Sequence, residues 1–163
     1  MNSIAKSIVE VLRNRREDLA CAESLTGGAL SSEIVAIPGA SHVLKGSIIA
    51  YSTEIKVRDL SVAQQTIDDH GVVSESVALA MADGVRARMG TSWAVSATGV
   101  AGPGPSHDIP AGTVWLAVVG PGHRETVKLA LDGDRESVRR GAVESALGAF
   151  ERILSATKLA KRK

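Results

Sequence analysis

The sequence predicts a layered α/β domain around a mixed sheet of about five to six strands. Two observations carry this expectation. Short apolar runs alternate with helix-patterned segments over the first two-thirds of the 163-residue chain, and beyond residue 112 two strand-like runs are joined only by a turn. Alternation implies parallel strands with helical crossovers, whereas strands joined by a tight turn pair antiparallel. A hydrophobic fraction of 44% with 23% charged residues fits one globular domain, long enough to bury a core without disulfide or metal staples.

The elements follow in order. Ile4, Ile8, Val11 and Leu12 recur at the spacing of a helix with one buried face, over 3–14. An apolar strand over 18–22 runs into Glu23-Ser24-Leu25-Thr26-Gly27-Gly28, and a helix then runs from Ala29 to before Pro38-Gly39. Residues 46–52 are β-branched enough for a second, buried strand, and Ser52 or Thr53 caps a helical segment containing Lys56. Ser74 caps a helix with Val77, Met81 and Val85 inward, closed by Gly90. Residues 93–97 form a third strand, leading into the glycine-rich run 98–104. Thr113 to Val119 and Glu125 to Leu131 make a hairpin around Gly120-Pro121-Gly122. Asp134 caps a last helix with Val138, Ala142, Ala146, Phe150 and Leu154 on one stripe, and a basic, solvated tail occupies 158–163.

Composition narrows the function classes. Aromatic residues make up 2% and the net charge is +1, so neither base stacking nor a polyanion-recruiting field is expected, and no nucleic-acid partner. Cys21 is the single cysteine, which excludes an internal disulfide; a small core residue is its simplest reading. His42, His70, His107 and His123 are dispersed without metal-ligand spacing, so no metal is expected. No apolar run reaches the ~18–20 residues of a membrane span and no signal-peptide pattern opens the chain, so a cytoplasmic protein without membrane contact is expected.

Three polar or glycine-rich turns directly follow apolar strands: 23–28, 50–56 and 96–104. Ligands collect at such strand ends in open α/β sheets. If the first two strands are neighbours, Ser24, Tyr51 and Lys56 converge. Serine needs a base to become nucleophilic, and with no histidine in these turns the candidate base is Lys56, provided burial keeps it partly neutral. A solvated helix lysine is the competing reading. Tyr51 either orients the serine or forms a pocket wall. Thr26, Gly27 and Gly28 open the following helix, whose free N–H groups suit an anion or oxyanion. The Thr98–Gly104 loop, with Gly99 and Gly102, suits phosphate or carboxylate, and Arg135 and Arg139, one turn apart, are candidates to complete that site.

Together the segments 22–28, 38–41, 46–52 with Lys56, 70–74, 98–104, 110–115 and 133–135 resemble the CinA C-terminal domain family, whose enzymatically defined members are nicotinamide-nucleotide amidohydrolases. The resemblance covers nearly the whole chain, about 1–157. It implies a single three-layer α/β/α domain that converts nicotinamide mononucleotide to nicotinate mononucleotide and ammonia, with no cofactor. It further implies Ser24 as nucleophile, Lys56 as base and Tyr51 as assistant, with the Thr98–Gly104 loop, including Gly99 and Gly102, in the nucleotide pocket and Arg135 as a contact; Thr26, Gly27 and Gly28 are the substrate-binding candidates read from the helix start itself. The length is similar to stand-alone members, and a homodimer is compatible. Two stretches depart from the family pattern: Leu25, a difference of packing rather than chemistry, and Pro105-Ser106-His107-Asp108-Ile109, which replaces a more glycine-rich segment and bears on either loop mobility or pocket shape. The rival expectation is a non-catalytic nucleotide-binding or interaction module.

Overall fold

The computed structural model describes residues 2–160. Helix α1 (Ser3–Arg15) leads into β1 (Leu19–Glu23), α2 (Ala29–Val35) and β2 (Leu44–Ile49). Three helices follow, α3 (Thr53–Leu60), α4 (Gln64–His70) and α5 (Glu75–Met89), before β3 (Trp93–Gly99). The hairpin β4 (Thr113–Gly120) and β5 (His123–Ala130) precedes the long helix α6 (Arg135–Ala160). The basic tail expected over 158–163 lies outside the described residues from 161 onward.

The five strands form one sheet in the order β2-β1-β3-β4-β5. The first three are parallel, and β4 and β5 add antiparallel. Helices α1, α2 and α6 cover one face and α3, α4 and α5 the other, which gives the expected three layers. Strand alternation sorts the core. Leu19, Cys21, Trp93, Val95, Leu116 and Val118 point toward α1 and α6, while Ala20, Ala22, Ala94 and Ala117 point toward α5. The small side chains on the second face let α5 approach the sheet closely. The helices of that layer are equally close: a Cβ on Gly84 of α5 would stand 1.8 Å from the Leu60 carbonyl oxygen at the end of α3.

Helix ends follow the expected chemistry. The Ile55 N–H donates to Ser52 Oγ (3.3 Å), Val77 N–H to Ser74 Oγ (3.2 Å) and Ser137 N–H to Asp134 Oδ1 (2.8 Å). Asn2 caps α1 with its side-chain oxygen. Two expectations need correction. The second strand is not buried: β2 is the sheet edge, half-exposed along most of its length, and it ends at Ile49, with residues 50–52 forming the turn into α3. Helix α4 was not expected at all; it buries only Ile67 and has no side-chain cap, so it carries almost no periodic signal.

The topology makes a crevice. The connection after β1 enters α2 on one face, and the connection after its neighbour β2 enters α3 on the other. Adjacent strands whose connections part to opposite faces leave a cleft beyond their carboxyl ends. The turns carrying Ser24, Tyr51–Lys56 and Thr98–Gly104 meet there. Among the described residues no helix is long and apolar enough to cross a membrane, and no group of three or more His, Cys, Asp or Glu gathers for a metal.

Candidate functional site

Ser24 sits directly beyond β1, its N–H held by the Ala97 carbonyl of β3 at 3.0 Å. The turn that follows owes its tightness to glycine. Gly27 (φ +58°) and Gly28 (φ +99°) adopt left-handed conformations that strain other residues. Lys56 reaches the same point from the first turns of α3. Its Nζ lies 3.0 Å from Ser24 Oγ and donates to the Ala50 carbonyl oxygen at 2.7 Å. Lys56 is 0% exposed and Ser24 7% exposed. Among the described residues no carboxylate pairs with this ammonium, and burial pushes its pKa down from 10.5 to about 8. The solvated-lysine reading is therefore set aside.

Above the pair opens a cavity of about 360 Å³, lined by Ser24, Leu25, Tyr51, Thr98, Gly99, Gly102, His107 and Arg135 among others. Its wall contains three basic side chains, Lys56, Arg135 and His107, and no Asp or Glu. Arg135 donates to the Gly102 carbonyl oxygen (2.7 Å) and to the Tyr51 hydroxyl (2.9 Å), tying the glycine-rich loop to the turn before α3. Tyr51 is 61% exposed and forms the rim rather than the floor. Thr98 is buried; its hydroxyl donates to the Val72 carbonyl oxygen at 3.1 Å and fixes the base of the loop. A Cβ on Gly99 would stand 2.7 Å from the Thr113 carbonyl oxygen, so only glycine lets the loop pass so close to β4.

The start of α2 departs from expectation. Thr26, Gly27 and Gly28 do not line the cavity, and the chain fills the helix N-terminus with its own anion. The Glu23 carboxylate, 0% exposed, accepts from the N–H groups of Gly28 (2.9 Å), Leu30 (3.0 Å) and Ser31 (3.0 Å). It also accepts from the hydroxyls of Ser31 (2.7 Å) and Ser47 (3.1 Å). Burial opposes its ionisation, but the bonds from Ser31 and Leu30, with the nearby Thr26 hydroxyl, outweigh it and hold the pKa below 4.5. The Thr26 hydroxyl itself is buried without a partner at hydrogen-bond geometry, so its share is that of a neighbouring dipole. The Gly27 N–H donates to the Ser24 carbonyl oxygen at 3.1 Å. An incoming anion therefore finds this helix end occupied.

The two arginines separate. Arg139 lies behind the Ser24 turn, donating to the carbonyl oxygens of Leu25 and Thr26 at 2.9 Å each, and does not face the cavity. Arg135 does. His107, left out of the sequence-based site because it lies outside the three strand-end turns, is in the wall; only the fold of the loop beyond Gly104 brings it there.

Known proteins match this chain along most of its length. The family model described as the CinA C-terminal domain matches residues 1–154. A CinA-like protein of Frankia casuarinae is 40% identical over 94% of this chain and 36% of its own length. A CinA-like protein of Gemmatimonas aurantiaca is 47% identical over 84% of this chain and 32% of its own. The chain thus spans about a third of these curated relatives. Among solved structures, the competence damage-inducible protein A (ComA) of Klebsiella pneumoniae superposes with a TM-score of 0.91 at 33% identity, covering 94% of this chain and 96% of that one. The competence/damage inducible protein CihA of Agrobacterium tumefaciens gives 0.89 at 30% identity, covering 94% of each. On this match, and with the three-layer fold that these structures share, the chain belongs to the CinA C-terminal domain family.

Proposed function

We propose that this protein is a Ser–Lys amidohydrolase that hydrolyses the carboxamide of nicotinamide mononucleotide to nicotinate mononucleotide and ammonia. The observation that carries the reading is the buried Lys56 ammonium, without a carboxylate partner, 3.0 Å from Ser24 Oγ at the base of a cavity whose wall has no acid. Such a lysine is partly neutral near pH 7.5: with a pKa of about 8, about a quarter of the molecules carry a free Nζ lone pair. The acid-free wall suits an anionic ligand, and the phosphate of a nucleotide supplies the anion.

In this mechanism neutral Lys56 accepts the Ser24 proton on Nζ while its own N–H stays on the Ala50 carbonyl. Ser24 Oγ attacks the carboxamide carbon, and the carbonyl oxygen becomes an oxyanion. The N–H groups of Gly27 and Gly28 are engaged, so the turn's available donors are those of Leu25 and Thr26, and Leu25 lines the cavity. Lys56 returns the proton to the departing nitrogen, ammonia leaves, and Ser24 holds the nicotinoyl group as an ester. Water then attacks the ester carbon and gives a proton to Lys56; the ester bond breaks, and nicotinate forms as Ser24 regains its proton.

Purified protein incubated with nicotinamide mononucleotide should release ammonia and nicotinate mononucleotide in equal amounts, and Ser24→Ala should bind the nucleotide without turning it over. Near-full activity in the serine variant would exclude the covalent route, and binding without turnover in the unaltered chain would make the protein a nucleotide-binding module.

A further inference from the structure

Beyond Gly104 the loop makes a feature that the amidase reading leaves unused. The N–H of Ser106 donates to the carbonyl oxygen of Ile109 (3.0 Å), and the N–H of Ile109 donates back to that of Ser106 (2.9 Å). The two residues between them, His107 (φ +48°) and Asp108 (φ +62°), are both left-handed. This is the pattern of a type I′ turn, where glycine or asparagine is most at ease. Asp tolerates this conformation much as Asn does, but at the other position a larger imidazole ring is held in the wall of a ligand-sized cavity, and strain retained beside a site points to a role for the side chain. Ser106 Oγ lies 3.1 Å from His107 Nδ1 and fixes the ring, while Nε2 has no partner among the described residues. When the serine hydroxyl donates to Nδ1, the neutral ring keeps its proton on Nε2 as a free donor.

Exposure orders the cavity by depth. Ser24 and Lys56 are buried at the floor, whereas Arg135 and His107 are exposed at the mouth. A nucleotide amide that places its carboxamide on Ser24 directs its phosphate outward, toward those two side chains. Arg135 has no carboxylate partner, and the helix N-terminus nearest the nucleophile is filled by Glu23. We infer that His107 is a specificity-determining residue that binds the phosphate monoester of the substrate together with Arg135, and so selects the nucleotide over its nucleoside. This rests on the amidase reading for the direction of the ligand.

The test compares nicotinamide mononucleotide with nicotinamide riboside, which lacks only the phosphate, by calorimetric titration into Ser24→Ala and into Ser24→Ala/His107→Gly. Glycine accepts the positive φ, so the turn is kept while the ring is removed; matching melting temperatures verify this. A hydrogen bond to a charged group is worth enough to change affinity about tenfold or more. The ratio of nucleotide to nucleoside affinity should therefore fall about tenfold in the His107→Gly background. An unchanged ratio, an equal loss for both ligands, or no binding of either ligand to Ser24→Ala overturns the assignment. Failure of the amidase reading looks different: the unaltered chain binds the nucleotide and releases no ammonia, whatever the ratio.

Discussion

Replacing Lys56 by methionine should stabilise the protein at neutral pH while abolishing the proposed amide hydrolysis, and the size of the gain should depend on pH in a defined direction. The native pKa is about 8 against 10.5 for a free lysine, a difference of about 3 kcal/mol between the charged and neutral forms. Below pH 8 the group is protonated both folded and unfolded, so the full cost of burying the charge falls on the native state. Between about 8 and 10.5 the unfolded chain holds a proton that the native state has released, and native stability rises with pH. Methionine keeps an unbranched chain of similar bulk and carries no charge. It also loses the bond to the Ala50 carbonyl, a pH-independent cost of about 1 kcal/mol. The variant should therefore be more stable than the parent by about 2 kcal/mol at pH 6.5, and less stable by about 1 kcal/mol near pH 10.5. Urea denaturation of both proteins across that range measures the difference, in which other titrating groups cancel. A stability difference that does not vary with pH would refute a buried lysine forced toward neutrality.

Three further outcomes follow from the same geometry. The rate of amide hydrolysis at low substrate should rise with pH to a plateau with an apparent pKa near 8, seen in a pH–rate profile; a limb near 10 would mean the base is solvated. Glu23→Gln turns an amide NH₂ toward donors that now face a carboxylate oxygen, and should cost about 3 kcal/mol in chemical denaturation at pH 7. Because the Glu23 pKa is lowered, its contribution is complete above pH 4.5 and is lost as pH falls through the native value, so parent and variant should converge in acid. Gly84→Ala improves helix propensity yet drives a methyl into the Leu60 carbonyl, and its melting temperature should fall by several degrees.

Much of the site was legible because its residues end apolar runs. Ser24 after β1 and the turn before α3 could be placed from local pattern alone, and strand adjacency then brought them together. Lys56 was harder. Within α3 it stands among Glu54, Arg58 and Asp59, and a helix so charged reads as solvated; its burial arises only when α3 packs against α5 and carries Nζ to Ser24 and the Ala50 carbonyl. Glu23 was not legible as a cap for the following helix. Its partners Ser31 and Ser47 lie 8 and 24 residues away, and no spacing rule joins them. The edge position of β2 was hidden for a related reason, since β-branched content reports a strand but not its neighbours. His107 entered the cavity wall through a turn whose two left-handed residues are neither Gly nor Asn, the usual sequence signal.

The carboxylate under the Ser24 turn has a consequence for timing. Five donors from β2 and from α2 with its N-terminal turn converge on Glu23, and Arg139 braces the same turn from behind. Under the proposed mechanism the serine is held by the protein's own contacts, so the reorganisation that a looser turn would undergo at each turnover is settled once, during folding. A serine-directed fluorophosphonate should consequently label Ser24 in the empty protein, at a rate that follows the neutral fraction of Lys56 and without a lag for loop closure.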